Sequence, residues 1–180
     1  MQNNWLIVMA LPMVVMAVPG FAMEYLAIEQ AQQLIFSDGD VFVEHLVKLS
    51  DADKDQIKAI SGKKQRWDEQ RIWRVQKQEQ HLGWFIVDNV VGKHEFITYG
   101  VGISPTGHVV GVEVMTYRET HGDEVREQAW REHFTNKTVN DAFKLNDDIP
   151  NITGATLSAR NLTDGVKRLL ALHQAVLSDE

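Results

Sequence analysis

The chain has 180 residues, enough for one domain with a buried core. Its formal charge is −7, with Lys and Arg scattered among acids, which argues against non-specific nucleic-acid binding because phosphate backbones demand a clustered cationic surface. There is no cysteine, so disulfides, iron–sulfur clusters, thiol nucleophiles and Cys-type zinc sites are excluded.

Trp5 to Val18 is almost continuously apolar and is followed by Pro19-Gly20-Phe21-Ala22. Gly20 and Ala22 are small residues at the spacing a signal peptidase reads, so residues 1–22 are expected to be a signal peptide cleaved after Ala22. The n-region has no Lys or Arg. The rival is an uncleaved anchor, but the apolar run falls short of the ~20 residues a spanning helix needs, and Pro12 interrupts it. A disulfide-free exported protein points to a bacterial periplasm. Residues 23–180 then form a single domain, with an N-terminal helical portion over 23–62.

Glu24 to Phe36 has helical spacing, with Leu26, Ala27, Gln30, Ala31, Leu34 and Ile35 able to share a face, and Ser37-Asp38-Gly39-Asp40 breaks it. Val41 to Leu49 is a second amphipathic piece whose type the pattern leaves open. Ser50 with Asp53 reads as a capping box for a helix through Ile60, stopped by Gly62. The period then changes. Arg71–Lys77, Trp84–Val91, Glu95–Ile103 and Val109–Tyr117 read as strands joined by short turns, Gly92-Lys93 and Ser104-Pro105-Thr106-Gly107 among them. Strands joined so tightly are antiparallel neighbours, so the expected fold class is α+β, an antiparallel meander sheet packed with N- and C-terminal helices. Arg118–Lys137 is highly charged and carries one short helix around Val125–Phe134. A final amphipathic helix runs from about Ser158, with Leu162, Val166, Leu169, Leu170, His173, Val176 and Leu177 on one stripe.

The candidate site is Thr153-Gly154-Ala155-Thr156-Leu157-Ser158, set directly before that helix. Gly154 and Ala155 let a ligand approach the backbone closely, and Thr156 and Ser158 supply hydroxyls. Free N–H groups and the helix dipole favour an anion such as a phosphate there. Read by helix chemistry alone, Thr156 or Ser158 is simply an N-cap. No G-x-S-x-G elbow and no glycine-rich dinucleotide fingerprint occurs, and His121, Asp123, Glu124 and His133 match no tight metal-ligand spacing. Trp73 and Trp84 read as sheet core, while Trp67 and Trp130 are open. Of the two cations near the last helix, Arg160 is better placed for a phosphate than Lys167.

The hexapeptide resembles the Ser/Thr-Gly-Ala-Thr-x-Ser/Thr sequence of the FMN-binding domain family, which includes the G subunit of the Rnf complex and the C subunit of the sodium-pumping NADH:quinone reductase. The likeness extends from Trp84 to the last helix. Val87–Tyr99 and Val112–Gly122 look like the family's sheet, closing on its Glu-Thr-x-Gly segment as Glu119-Thr120-His121-Gly122, and Phe134-Thr135-Asn136-Lys137 resembles its Phe-x-Gly-Lys segment. Pro150 stands where the family's attachment pattern usually has Asp. The resemblance implies FMN joined to Thr156 by a phosphoester, installed outside the cytoplasm by a flavin transferase. Thr153, Gly154, Ala155, Leu157 and Ser158 would frame the phosphate and ribityl chain, with Glu119, Thr120, His121, Gly122 and Lys137 beside the flavin. It implies an electron carrier working with a membrane or periplasmic redox protein rather than a stand-alone oxidoreductase. A periplasmic flavin-dependent reductase and a flavin-less binding or regulatory domain are the alternatives.

Overall fold

The computed structural model describes residues 26–178, so the signal-peptide expectation for residues 1–22 lies outside the described residues. Five strands, β1 (Val41–Lys48), β2 (Glu69–Lys77), β3 (Gln80–Val91), β4 (Phe96–Ile103) and β5 (Val109–Thr116), form one sheet in chain order. Every neighbouring pair is antiparallel, as short connections require. The fold is thus the expected α+β meander. The piece whose type the pattern left open is the edge strand β1, so the portion 23–62 is helix, strand, helix rather than helical throughout.

Successive residues of a strand face opposite sides of a sheet, and each face here has its own core. Trp84, Ile86 and Val90 of β3 join the larger one, while Phe85 and Val87 join the smaller. Helix α1 (Ile28–Ile35) covers the smaller core with Ala31, Ile35 and neighbouring Phe36 against Trp73, Val75 and Met115. Helix α2 (Asp51–Ser61) and α4 (Thr156–Leu172) cover the larger. The capping box of α2 is present, with Ser50 N donating to Asp53 Oδ2 at 2.8 Å and Asp53 N to Ser50 Oγ at 3.2 Å, and Gly62 ends the helix in the left-handed region. The expected helix near Val125–Phe134 is a broken series, two 3₁₀ turns around the four-residue α3 (Gln128–Arg131).

Helix α4 is the element that positions the site. It starts two residues earlier than expected and buries Ala159, Leu162, Val166, Leu169 and Leu170 completely or nearly so. Each buried leucine or valine contributes roughly 1.5–3 kcal/mol, which fixes the helix start relative to the sheet. Beyond Leu172 the helix widens into a π-helical turn, His173–Leu177, with His173 buried. Among the described residues no helix is long and apolar enough to cross a membrane.

Candidate cofactor site

The chain enters α4 through a turn in which Ala155 N donates to Ile152 O at 3.1 Å and Gly154 sits at φ +85°. No heavy atom lies within 4 Å of where a Gly154 Cβ would point, so the backbone angle, and not crowding, calls for glycine. The N-cap is Ala155, which corrects the expectation that Thr156 or Ser158 caps the helix: Thr156 is the first helical residue and Ser158 the third. A methyl group cannot accept a hydrogen bond. The first backbone bond of the helix is Ala159 N to Ala155 O at 3.0 Å, and the N–H groups of Thr156, Leu157 and Ser158 meet no backbone acceptor among the described residues. The first turn carries no acid.

The two hydroxyls separate in role. Ser158 is 2% exposed and lies beside Tyr117, whose phenol donates to His121 O at 2.5 Å. Burial, opposed by the Ser158 hydroxyl and helped by nearby Glu119, Asp123 and Glu124, holds the Tyr117 phenol above its usual range, so it stays a donor. The half-buried Thr156 hydroxyl makes no hydrogen bond within the described residues.

Glu119–Gly122 forms the facing wall. Gly122, at φ +89°, is where this wall touches the helix entry: an added Cβ would overlap Ala155 Cβ and come within 2.8 Å of the Tyr117 oxygen. Glu119 Oε1 accepts from His94 N at 2.5 Å and Glu95 N at 3.0 Å. Burial works to raise the Glu119 pKa, but these backbone donors, with Lys93 and the His94 charge, outweigh it and leave the carboxyl below its usual value. Glu119 is therefore committed to the β3–β4 turn. Its effect is to hold Lys93 and His94 against the start of α4.

The result is a cavity of about 300 Å³, at the lower end of ligand-sized pockets. Glu119, Thr120, His121, Gly154, Ala155, Thr156, Leu157 and Ser158 line it, together with Lys93 and His94. Thr153 sits exposed at the entry turn and Gly122 ends the facing wall against Ala155; neither lines the cavity. Lys137 is not brought to it. Its ammonium pairs with Asp148 at 2.9 Å and lies 6.0 Å from the Phe143 ring centre, because Asp148 is the acceptor around which Phe143 N and Lys144 N also turn. Asn136, where the family segment has glycine, adopts φ +65°, a left-handed angle that asparagine tolerates. Arg160 is exposed outside the cavity, and Lys167 bonds Asp141 O at 2.9 Å. Lys93 and His94 went unnoticed in the sequence. Only the antiparallel hairpin carries them to a helix more than sixty positions away.

These groups fit a phosphate ester. Three unengaged N–H donors at the start of a 17-residue helix face the cavity region, with a hydroxyl free to be esterified and a lysine beside it. No group of three metal-ligating side chains stands together among the described residues.

The family model described as FMN-binding domain matches residues 92–171, a span that begins at the β3–β4 turn and ends in α4. No curated protein matches the chain. Among solved structures, the crystal structure of Shewanella oneidensis NqrC superposes with a TM-score of 0.55 at 18% identity, over 81% of this chain and 88% of that one. That likeness extends the shared fold beyond the matched span. The cofactor of such a domain is FMN.

Proposed function

We propose, from a chain whose residues 92–171 form an FMN-binding domain, that this protein is an exported electron carrier holding FMN through a phosphoester to the Thr156 oxygen. The observation that carries the reading is the start of α4: a hydroxyl and three N–H groups with no partner among the described residues, at a cavity large enough for a ligand. Bound FMN supplies one- and two-electron chemistry, which asks the protein for position and electrostatics rather than for a nucleophile and base. The N–H groups of Thr156 to Ser158 hold the phosphate oxygens, and the helix dipole adds a fraction of a kcal/mol to ~2 kcal/mol. Lys93 offsets the remaining charge, and Glu119 keeps the turn bearing Lys93 and His94 in place. A flavin transferase makes the ester outside the cytoplasm: the Thr156 oxygen attacks the FMN phosphorus of a flavin dinucleotide, the phosphoanhydride bond breaks, and the nucleoside monophosphate leaves as Thr156 gives up its proton. Residues 1–22 direct the chain to a periplasm, where a membrane redox complex or soluble redox protein exchanges electrons with it.

Co-expression with a flavin transferase, followed by intact mass and in-gel fluorescence after denaturation, tests this. The expected result is a mass gain equal to esterified FMN and a fluorescent band, both lost in Thr156→Ala. An unchanged mass in the unaltered protein rejects attachment, and a Thr156→Ala variant that stays fluorescent places the bond elsewhere.

A further inference from the structure

A second cleft lies along the same helix. Its walls are Lys63, Lys64, Arg66 and Trp67 from the connection between α2 and β2, Val90 and Val91 at the end of β3, and Asn161, Asp164 and Arg168 of α4, enclosing about 230 Å³. Lys63 pairs with Asp164 across it at 2.8 Å, and Arg168 is paired with buried Asp88 beneath it. Four cations thus meet two carboxylates, leaving Lys64 and Arg66 with no acidic partner among the described residues. Trp67, next after Arg66 in sequence, is 41% exposed. An uncompensated positive patch around an open indole is unusual in a chain of net charge −7. Tryptophan and arginine are also the residues that most often dominate protein–protein binding energy.

The cleft lies along the same face of α4 as the cofactor cavity. Leu157, Asn161, Asp164 and Arg168 are spaced by four, three and four residues, so they share one stripe of α4. Leu157 lines the cavity and is 45% exposed, while the other three line the cleft. Asn161 Nδ2 donates to Val91 O at 2.6 Å, joining the stripe to the strand end that leads into Lys93. The stripe is about 17 Å long.

We propose that this cleft and stripe are the docking surface for an acidic redox protein, one presenting carboxylates to Lys64 and Arg66 around an apolar side chain that covers Trp67. The inference rests on the FMN reading above: a partner seated here lies against the mouth of the cofactor cavity. Charge complementarity sets the encounter and the indole the grip.

The test uses a fluorescein-labelled, glutamate-rich peptide with one central leucine, titrated by anisotropy against the full chain at low and physiological salt. Binding should weaken as salt rises. It should fall at least tenfold in the Lys64→Glu/Arg66→Glu double variant and clearly in Trp67→Ala, while Lys144→Glu, outside the cleft, leaves it unchanged. Circular dichroism confirms that each variant is folded. A double variant indistinguishable from Lys144→Glu, or binding indifferent to salt, overturns the proposal. So does binding to phosphatidylglycerol vesicles in place of the peptide. Attachment of FMN is scored in parallel by in-gel fluorescence: lost peptide binding with intact attachment defeats the docking surface alone, whereas peptide binding without attachment defeats only the flavin reading.

Discussion

Helix α4 begins and continues in opposite ways. At residues 156–158 it leaves three N–H groups, a hydroxyl and a positive dipole end without partners among the described residues. About three turns further on, it satisfies a full charge inside the protein. Arg168 donates to Asp88 and Gln65, Tyr99 donates to the same Asp88 oxygen at 2.6 Å, and the Asp88 and Arg168 side chains are 1% and 7% exposed. Burial, with Asp88 close by, holds the Tyr99 phenol far above its usual range, so it remains a donor. The contrast separates two uses of polarity on one helix. The interior charge is matched within the chain and anchors α4 to β3 and β4, whereas the polar groups of the helix start meet no partner among the described residues and, on the proposed reading, serve a phosphate.

Breaking the interior pair should have the largest effect. Asp88→Ala leaves the Arg168 charge buried and alone, and urea denaturation should show a loss of about 3–5 kcal/mol. The Asp88→Leu/Arg168→Met double variant, which removes both charges, should recover much of it. Acid comes next. Burial, with the neighbouring His81 charge, holds His173 below its ordinary value of 6.5. The unfolded chain therefore takes up a proton that the folded chain refuses. Stability is constant above that value and falls as pH drops below it, by up to about 1.4 kcal/mol per pH unit for this one group. His173→Gln should flatten that part of a pH series of thermal melts. Glu119→Gln follows, at about 1 kcal/mol after allowing for solvent, because its backbone donors keep a weaker acceptor. The depressed Glu119 pKa gives the opposite window to a raised one: its contribution is present above the ordinary value of 4.5 and is lost as pH falls through the lower folded value. The smallest effect on folding belongs to Thr156→Ala. With Ala155 as the cap, the change should stay within about 0.5 kcal/mol while abolishing attached flavin. A large loss would make Thr156 structural and erase the contrast between the two parts of the helix.

Most of the architecture was legible in the residues, and the failures have physical causes. β2 to β5 alternate or run apolar between strong turn residues, and α4 has a long apolar stripe, so period and length agree. β1 is an edge strand with Val41, Val43 and Leu46 exposed, and without a buried face its residues show no clean alternation. The start of α4 was misplaced because Ser and Thr are the usual caps, whereas here the cap is an alanine. Within the site, the hexapeptide and Glu119–His121 were legible as chemistry on contiguous residues. Lys93 and His94 were hidden because strand pairing brings them in. Lys137 was placed by analogy of its segment, but Asp148, eleven positions on, claims its charge. The Asp88–Tyr99–Arg168 cluster joins residues up to eighty positions apart and left no local signal.

The strictly sequential sheet also sets an order of events. Each strand pairs with the one before it, so loop closures within the meander are short and cheap. The cofactor cavity, by contrast, needs the 93–94 turn, the 119–121 wall and the 154–158 helix entry to meet, and its last component is near the end of the chain. During synthesis, the sheet can be complete before α4 has emerged. Docking of α4 is then both the closing step of folding and the step that completes the cavity, so under the proposed attachment an esterified Thr156 would mark molecules that had finished folding.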